Sequence, residues 1–196
     1  MDWFEELLGF KETSVDDVTR SINIKDNKLH SLINGKTYNI GKFNLVSLEN
    51  LREETEKNFN KSEYSKLSCL SIVEGNVKSF LSSPKNNNAL FQVASQFNML
   101  EMIDPKVTPE DGVTRYQYDK TQGPACAIAA GAATVFRNYF VPLNNGLGQR
   151  TDSQLDGLRE IGSYLSQIIN LPVSKLWKMK NGYALFDNDG ISRIND

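Results

Sequence analysis

An α/β domain, a sheet flanked by helices, is the architecture this chain predicts, and three observations carry it. Short apolar runs of strand character at residues 67–73, 89–94 and 182–186 alternate with stretches of helical period at 3–21, 47–58 and 153–169. A Gly123-Pro124 step opens a run of small residues, 125–133, suited to lying close against a sheet. The length of 196 residues, with 39% hydrophobic and 23% charged content, is enough for one core and ordinary for a globular protein. One domain over residues 1–196 is expected.

Taken in order, Trp3, Phe4, Leu7, Leu8 and Phe10, then Val15, Val18 and Ile22, supply the apolar face of an N-terminal helix with a polar interruption at Lys11 to Ser14. Asn34-Gly35 between Leu32-Ile33 and Lys36 to Ile40 predicts a hairpin turn. Ser47 is placed to cap a helix running to about Asn58, with Glu49, Glu53, Glu54 and Lys57 on its wet side. The two central strands, 67–73 and 89–94, end in polar residues, Glu74-Gly75-Asn76 and Ser95 to Asn98. In open α/β sheets ligands collect beyond such ends. Residues 99–122 form a long acidic, irregular stretch, which inside a domain points to function. Phe136 to Val141 reads as a strand or strand entry, and Asn144 to Gln149 as a turn, with a phosphate-cradling loop as the other reading. A helix that has only begun at Asp189 to Asp196 predicts that the natural chain extends further.

Several classes are disfavoured at once. Lys+Arg 22 against Asp+Glu 24 leaves a net charge of -2, so the basic excess of a nucleic-acid binder is missing. No apolar run approaches the roughly 20 residues that span a bilayer, and the acidic start, Met1 to Glu6, is unlike a secretory signal. A cytoplasmic, soluble monomer without nucleic-acid or membrane partners is the expectation. Two cysteines, Cys69 and Cys126, and one histidine, His30, cannot build a disulfide framework or a four-ligand zinc site, so no metal and no cofactor is expected. Carboxylates remain for acid/base work.

The two strand ends together resemble the macrodomain family, whose members bind ADP-ribose and often hydrolyse it from proteins. Ile72-Val73-Glu74-Gly75-Asn76-Val77 is similar to the family's first strand-end motif, and Phe91 to Asn98 to its second. The resemblance spans about residues 67–140 and implies a macrodomain-like mixed sheet flanked by helices. It places Asn76 at the adenine amino group, where an amide replaces the family's aspartate, with Val77 under the adenine edge and Asn98 at the distal ribose. Gln96 and Gly123 complete the implied ligand contacts. The family's glycine-rich loop is absent after Asn98. The insertion standing there, Glu101 to Pro105, Pro109 to Tyr116 and Asp119 to Pro124, resembles the divergent MavL-type branch of ADP-ribosyl hydrolases, which implies release of ADP-ribose from arginine by aspartates of this region.

Cleavage of that bond passes through an oxocarbenium-like state, which one carboxylate stabilises while another steers water or protonates the leaving group. Asp111, before the turn-forming Gly112, and Asp119, just ahead of the Gly123-Pro124 helix start, are the first choices, with Glu101 and then Asp104 next. Each has an ordinary alternative as a solvated or capping acid. A non-enzymatic ADP-ribose reader would keep Asn76 and Asn98 without needing both aspartates. A cysteine hydrolase would use Cys126, whose place at a helix N-terminus should lower its pKa. Gln122 stands upstream of it, but the histidine such enzymes carry downstream is missing.

Overall fold

The computed structural model describes residues 1–42, 46–59, 75–89, 95–119 and 122–195. Among them, helices surround three small antiparallel sheets, an α/β arrangement in the broad sense. The strands expected at 67–73 and 89–94 fall outside the described residues, apart from Ala89.

The N-terminal amphipathic stretch is two helices, not one. Helix α1 (Trp3–Leu8) stops at Gly9, whose φ of +82° suits glycine, and α2 (Val15–Ser21) starts afresh where the Ser14 side chain accepts from Asp17 N. Polar residues 11–14 therefore act as a stop and a start rather than a pause. Strand β1 (Ile22–Lys25) follows at once and pairs with β2 (Lys28–Ser31) around Asp26-Asn27, both at positive φ as a two-residue hairpin turn requires. The sequence reading placed Ile22 on the helix and missed this hairpin. The expected one, β2 with β3 (Thr37–Asn39) around Asn34-Gly35, is present.

Helix α3 (Leu48–Asn58) begins where Ser47 Oγ accepts from Asn50 N, as its cap chemistry predicts. Helix α4 (Val77–Leu81) starts directly after Asn76. The acidic stretch tightens into two 3-10 turns, Pro109–Asp111 and Thr114–Tyr118. The small-residue segment is a π turn, Ala125–Ala129, running into α5 (Gly131–Tyr139). Phe136 to Tyr139 is thus helical, where a strand was expected. Val135 and Tyr139 are both buried, an i, i+4 spacing that aromatic content obscured.

Asn144-Asn145 is the turn between the two-residue strands β4 (Pro142–Leu143) and β5 (Gly146–Leu147), so the turn reading holds there. The expected helix over 153–169 is confined to α6 (Arg159–Ile169). The last strand, Tyr183–Leu185 (β7), pairs with Lys178–Lys180 (β6) around Asn181-Gly182, and α7 (Asn188–Asn195) closes the description.

One core joins these parts. Phe4, Leu8 and Val18 from α1 and α2 meet Leu29 from β2, Val113 and Tyr116 from the 3-10 region, Cys126 from the π turn, and Val135 from α5. A second, smaller cluster gathers Leu100, Met102 and Val107 beneath Tyr183.

Glu12, between α1 and α2, fastens the core from one side. Its carboxylate accepts from Val113 N at 2.8 and 2.9 Å, Thr114 N at 2.8 Å, Thr114 Oγ1 at 2.6 Å and Tyr139 Oη at 2.7 Å. Gly112, with φ of +79°, lets it approach, since a Cβ there would lie 2.5 Å from Glu12 Oε2. Removing the carboxylate strands several partly buried donors, which costs roughly 1–3 kcal/mol for each one left unsatisfied. Glu12→Ala is expected to lower unfolding free energy by about 3 kcal/mol in urea titration. The exposed Glu6→Ala should stay within about 0.5 kcal/mol of the parent.

Candidate functional site

Five segments converge on the π turn 125–129. Helix α1, the 3-10 turn 114–118, helix α4 and helix α5 each lie against it. The segment after Asn98 reaches the same place through Tyr116, whose Oη accepts from Glu101 N at 3.0 Å.

Side chains add to backbone bonds, such as Phe97 N to Gly182 O at 2.9 Å, in holding the 96–102 segment. Gln96 Oε1 accepts from Met102 N at 2.8 Å, and its Nε2 donates to Met102 O at 2.9 Å and to Tyr183 Oη at 3.3 Å. Asn98 is fully buried. Its Oδ1 accepts from Leu100 N at 3.1 Å and its Nδ2 donates to Gln154 Oε1 at 3.0 Å. Gly182, with φ of +80°, abuts it, since a Cβ there would lie 2.4 Å from Asn98 Oδ1. Gln149, also fully buried, donates from Nε2 to Asn98 O at 2.7 Å and to Arg137 O at 3.0 Å. The amides of Gln96 and Asn98, expected at a ligand, here brace the loop that presents Glu101.

Glu101 is 4% exposed. Its carboxylate acts on the Cys126 thiol together with Asp119, and both act on the Tyr183 hydroxyl. Asp119 is half-buried, and its Oδ2 accepts from Gly123 N at 3.3 Å. Gly123 has no room for a side chain, because a Cβ would lie 2.4 Å from Tyr116 O and 2.6 Å from Asp119 Cβ. Gly123 and Asp119 therefore form one tight turn into the π segment.

Asp111 has a different setting. Its Oδ2 accepts from Thr108 N at 2.8 Å and from Thr108 Oγ1 at 3.2 Å, and it lies 4.0 Å from Arg115 Nη1 with about half its side chain exposed. It closes a 3-10 capping box. Asp104 Oδ1 likewise accepts from Lys106 N in an exposed turn. Asn76 is exposed, and its carbonyl accepts from Ser79 N and Phe80 N at the start of α4, where Val77 is the first residue.

Arg137 is the residue that sequence reasoning passed over. It sits on α5, half-buried. Its Nη2 donates to Thr134 Oγ1 at 3.2 Å, and Thr134 Oγ1 in turn donates to Cys126 O at 2.8 Å. This relay sets a cation beside Cys126, where it opposes the carboxylates. An isolated arginine in an otherwise apolar helix gives no local signal of its role.

The electrostatics correct one expectation. Burial pushes the Cys126 thiol above its ordinary value of 9.0, the Glu101 carboxylate pushes the same way, Arg137 opposes and Asp119 adds to the rise. A helix N-terminal position does not lower it. His30 lies on β2, with Nδ1 2.9 Å from Thr37 Oγ1, so the thiol has a raised pKa and its histidine is engaged on another element. Both observations weigh against the cysteine-hydrolase reading.

Tyr116 and Tyr139 are also raised, by burial first. The Glu12 carboxylate then adds to the rise at Tyr139, while the N–H of Glu101 opposes it at Tyr116. At Glu110 burial alone would raise the carboxyl, but donation from Thr151 N and Oγ1 outweighs it and leaves the group below its ordinary value.

Among the described residues no cluster of three or more His, Cys, Asp or Glu is arranged to hold a metal, and no helix is long and apolar enough to cross a membrane. Compared with models of known protein families, with curated proteins and with solved structures, the chain matches none.

The raised groups set the alkaline behaviour. Cys126, Tyr116 and Tyr139 favour their neutral forms in the fold, so their contribution is whole below the ordinary values of 9.0 and 10.0 and is lost as pH rises beyond them. Denaturant titrations from about pH 7 to pH 11 should show stability falling above about pH 9. Tyr139→Phe should flatten part of that fall, and an unchanged slope would place the titrating groups elsewhere.

Proposed function

We propose that this protein is an ADP-ribosyl hydrolase that removes ADP-ribose from modified side chains, arginine-linked ones first, with ADP-ribosylated proteins as partners. The observation that carries the reading is that the buried Glu101 and the half-buried Asp119 both act electrostatically on the Cys126 thiol of the π turn, with the half-buried Arg137 guanidinium opposing them. Support also comes from the strand-end resemblance, because α4, which follows Asn76, lies against that same turn.

In this reading the glycosidic C–N bond breaks at the anomeric carbon, and its electron pair leaves with the guanidine nitrogen. Positive charge develops on the ribose ring. Glu101, held in a nearly dry setting, stabilises that charge more strongly than an exposed acid would. Asp119, half-exposed, takes the proton from the incoming water, whose oxygen bonds to the anomeric carbon. Asp119 then gives that proton up to the departing guanidine, and the products are free ADP-ribose and the restored arginine. Both carboxylates also attract the cationic guanidine of the substrate. Asp111, first in the sequence reading alongside Asp119, enters the test as the comparison because its oxygen is engaged in a cap.

Release of ADP-ribose from an ADP-ribosylated arginine peptide should fall roughly 10²–10⁴-fold in Glu101→Gln and in Asp119→Asn, with ADP-ribose affinity retained. Asp111→Ala should fall less than tenfold, a small part of that range. Tight binding with no release by the parent protein would make it a reader instead. Equal losses at all three acids would return Asp111 to the catalytic set.

A further inference from the structure

Helix α6 carries apolar residues on two sides. One side packs inward, where Gly162 is buried and a Cβ on it would lie 3.1 Å from the Trp177 ring. The other bears Ile161, Tyr164 and Ile168 at i, i+3 and i+7, exposed by 45%, 64% and 63%. A surface helix ordinarily keeps one apolar face for the core and turns a polar one to water, so a second apolar face calls for a cover of its own.

Helix α3 borders that face. None of its residues is buried, and Leu48 at its start is 70% exposed. Between the two helices runs an open groove of about 380 Å³, lined by Val46 and Leu48 from the α3 side and by Ile161, Tyr164 and Leu165 from α6. Asp156 and Arg159 line this groove and also a second hollow of about 470 Å³ that reaches the Asn144-Asn145 turn. The two therefore form one track, apolar at the α3 end and polar at the other.

The charge along the track is of one sign. Glu49 and Glu160 line its apolar part, Asp152 its polar part and Asp156 both, while among the described residues Arg159 is the one base lining it. Among the described residues none of these four acids is in an ion pair. Apolar side chains flanked by unpaired carboxylates fit an occupant that is apolar on one side and cationic around it. Its backbone is constrained as well. The backbone groups of α6 are paired within the helix, so α6 offers no strand edge, and an occupant lying along it must satisfy its own N–H and C=O groups. A helix does so.

We propose that the groove between α3 and α6 docks a basic amphipathic helix of a partner protein. Apolar side chains of that helix lie against Leu48, Ile161 and Tyr164, and its lysines or arginines stand beside Glu49, Glu160, Asp152 and Asp156. The inference is independent of the hydrolase reading, since none of these residues belongs to the proposed Glu101 and Asp119 site.

Fluorescence anisotropy of the full chain with a labelled peptide of leucine and lysine tests it. The peptide has about 18 residues, long enough to hold a helix, with leucines at i, i+3, i+4 and i+7. A scrambled peptide of the same composition and one with glutamate in place of lysine serve as controls. The first peptide should bind, and both controls should bind at least about tenfold more weakly. Tyr164→Ala and Glu160→Lys should each weaken the first peptide by about tenfold or more. Thermal melts check each fold, and Ile161→Ser and Glu49→Gln are read instead if either variant melts early. No binding by the parent protein, equal binding of either control, or unchanged affinity in the folded variants overturns the proposal. Sedimentation showing a dimer of the parent that Tyr164→Ala dissolves also overturns it, because the face then belongs to a second copy of the chain.

Discussion

The Glu12 carboxylate is the constraint on which the remaining geometry hangs. It joins the α1–α2 junction to two stretches more than a hundred residues further along the chain, the start of the 114–118 turn and the end of α5. Trp3 Nε1 adds a donation to Thr114 O at 3.0 Å from the same side. With Val113 and Thr114 held, the 3-10 turn has one direction in which to run, and Tyr116 enters the core. Tyr116 then receives Glu101 N. The placement of the buried acid is thus decided by a different acid some ninety residues earlier, through a turn that touches both. Charge-assisted bonds to backbone donors suit this task because they orient as well as attract.

A second brace works with neutral groups. Residues 95–102 pair with other backbone only in part, as in Phe97 N to Gly182 O and Gly157 N to Phe97 O, so their remaining donors and acceptors need side-chain partners. Gln96, Asn98 and Gln149 supply them, and Gln154 and Asn181 extend the network, with Gln154 Nε2 donating to Asn181 Oδ1 at 2.9 Å and Asn181 Nδ2 to Pro105 O at 2.8 Å. Each buried amide satisfies two or more groups at fixed geometry, which gives an irregular segment the definition a strand would have. Such a network is intolerant of partial loss, because a severed member leaves buried polar atoms exposed to nothing.

Local signals were legible where the physics is local. Ser47 capped its helix, Asn34-Gly35 made its turn, and Asn181-Gly182 closed the last hairpin, since each depends on a few neighbouring residues. Gly9 and Ser14 carried equally local stop and start signals, but the continuous apolar face of residues 3–22 masked them. Phe136 to Val141 misled through composition, because aromatic residues favour strands while the buried Val135 and Tyr139 follow a helical period. Of the site, Glu101 and Asp119 could be named from the acidic insertion. Their convergence with Arg137 and Tyr116 could not, as it depends on Glu12 and on the π turn, neither of which any neighbouring residue announces.

The field at the π turn favours one chemistry over another. Cys126 sits where a thiolate would be surrounded by Glu101 and Asp119 in a poorly solvated setting, and the carboxylates make ionisation harder. The same field is favourable to positive charge, which in the proposed reaction would stand on the guanidine leaving group or on the ribose ring losing its bond. Arg137 limits that negative potential at the thiol. The arrangement that weighs against the cysteine as a nucleophile is thus the one that the proposed hydrolysis would use to stabilise a cation. The small side chains of 125–129 bring the backbone of that turn close enough for all of these groups to share one locality.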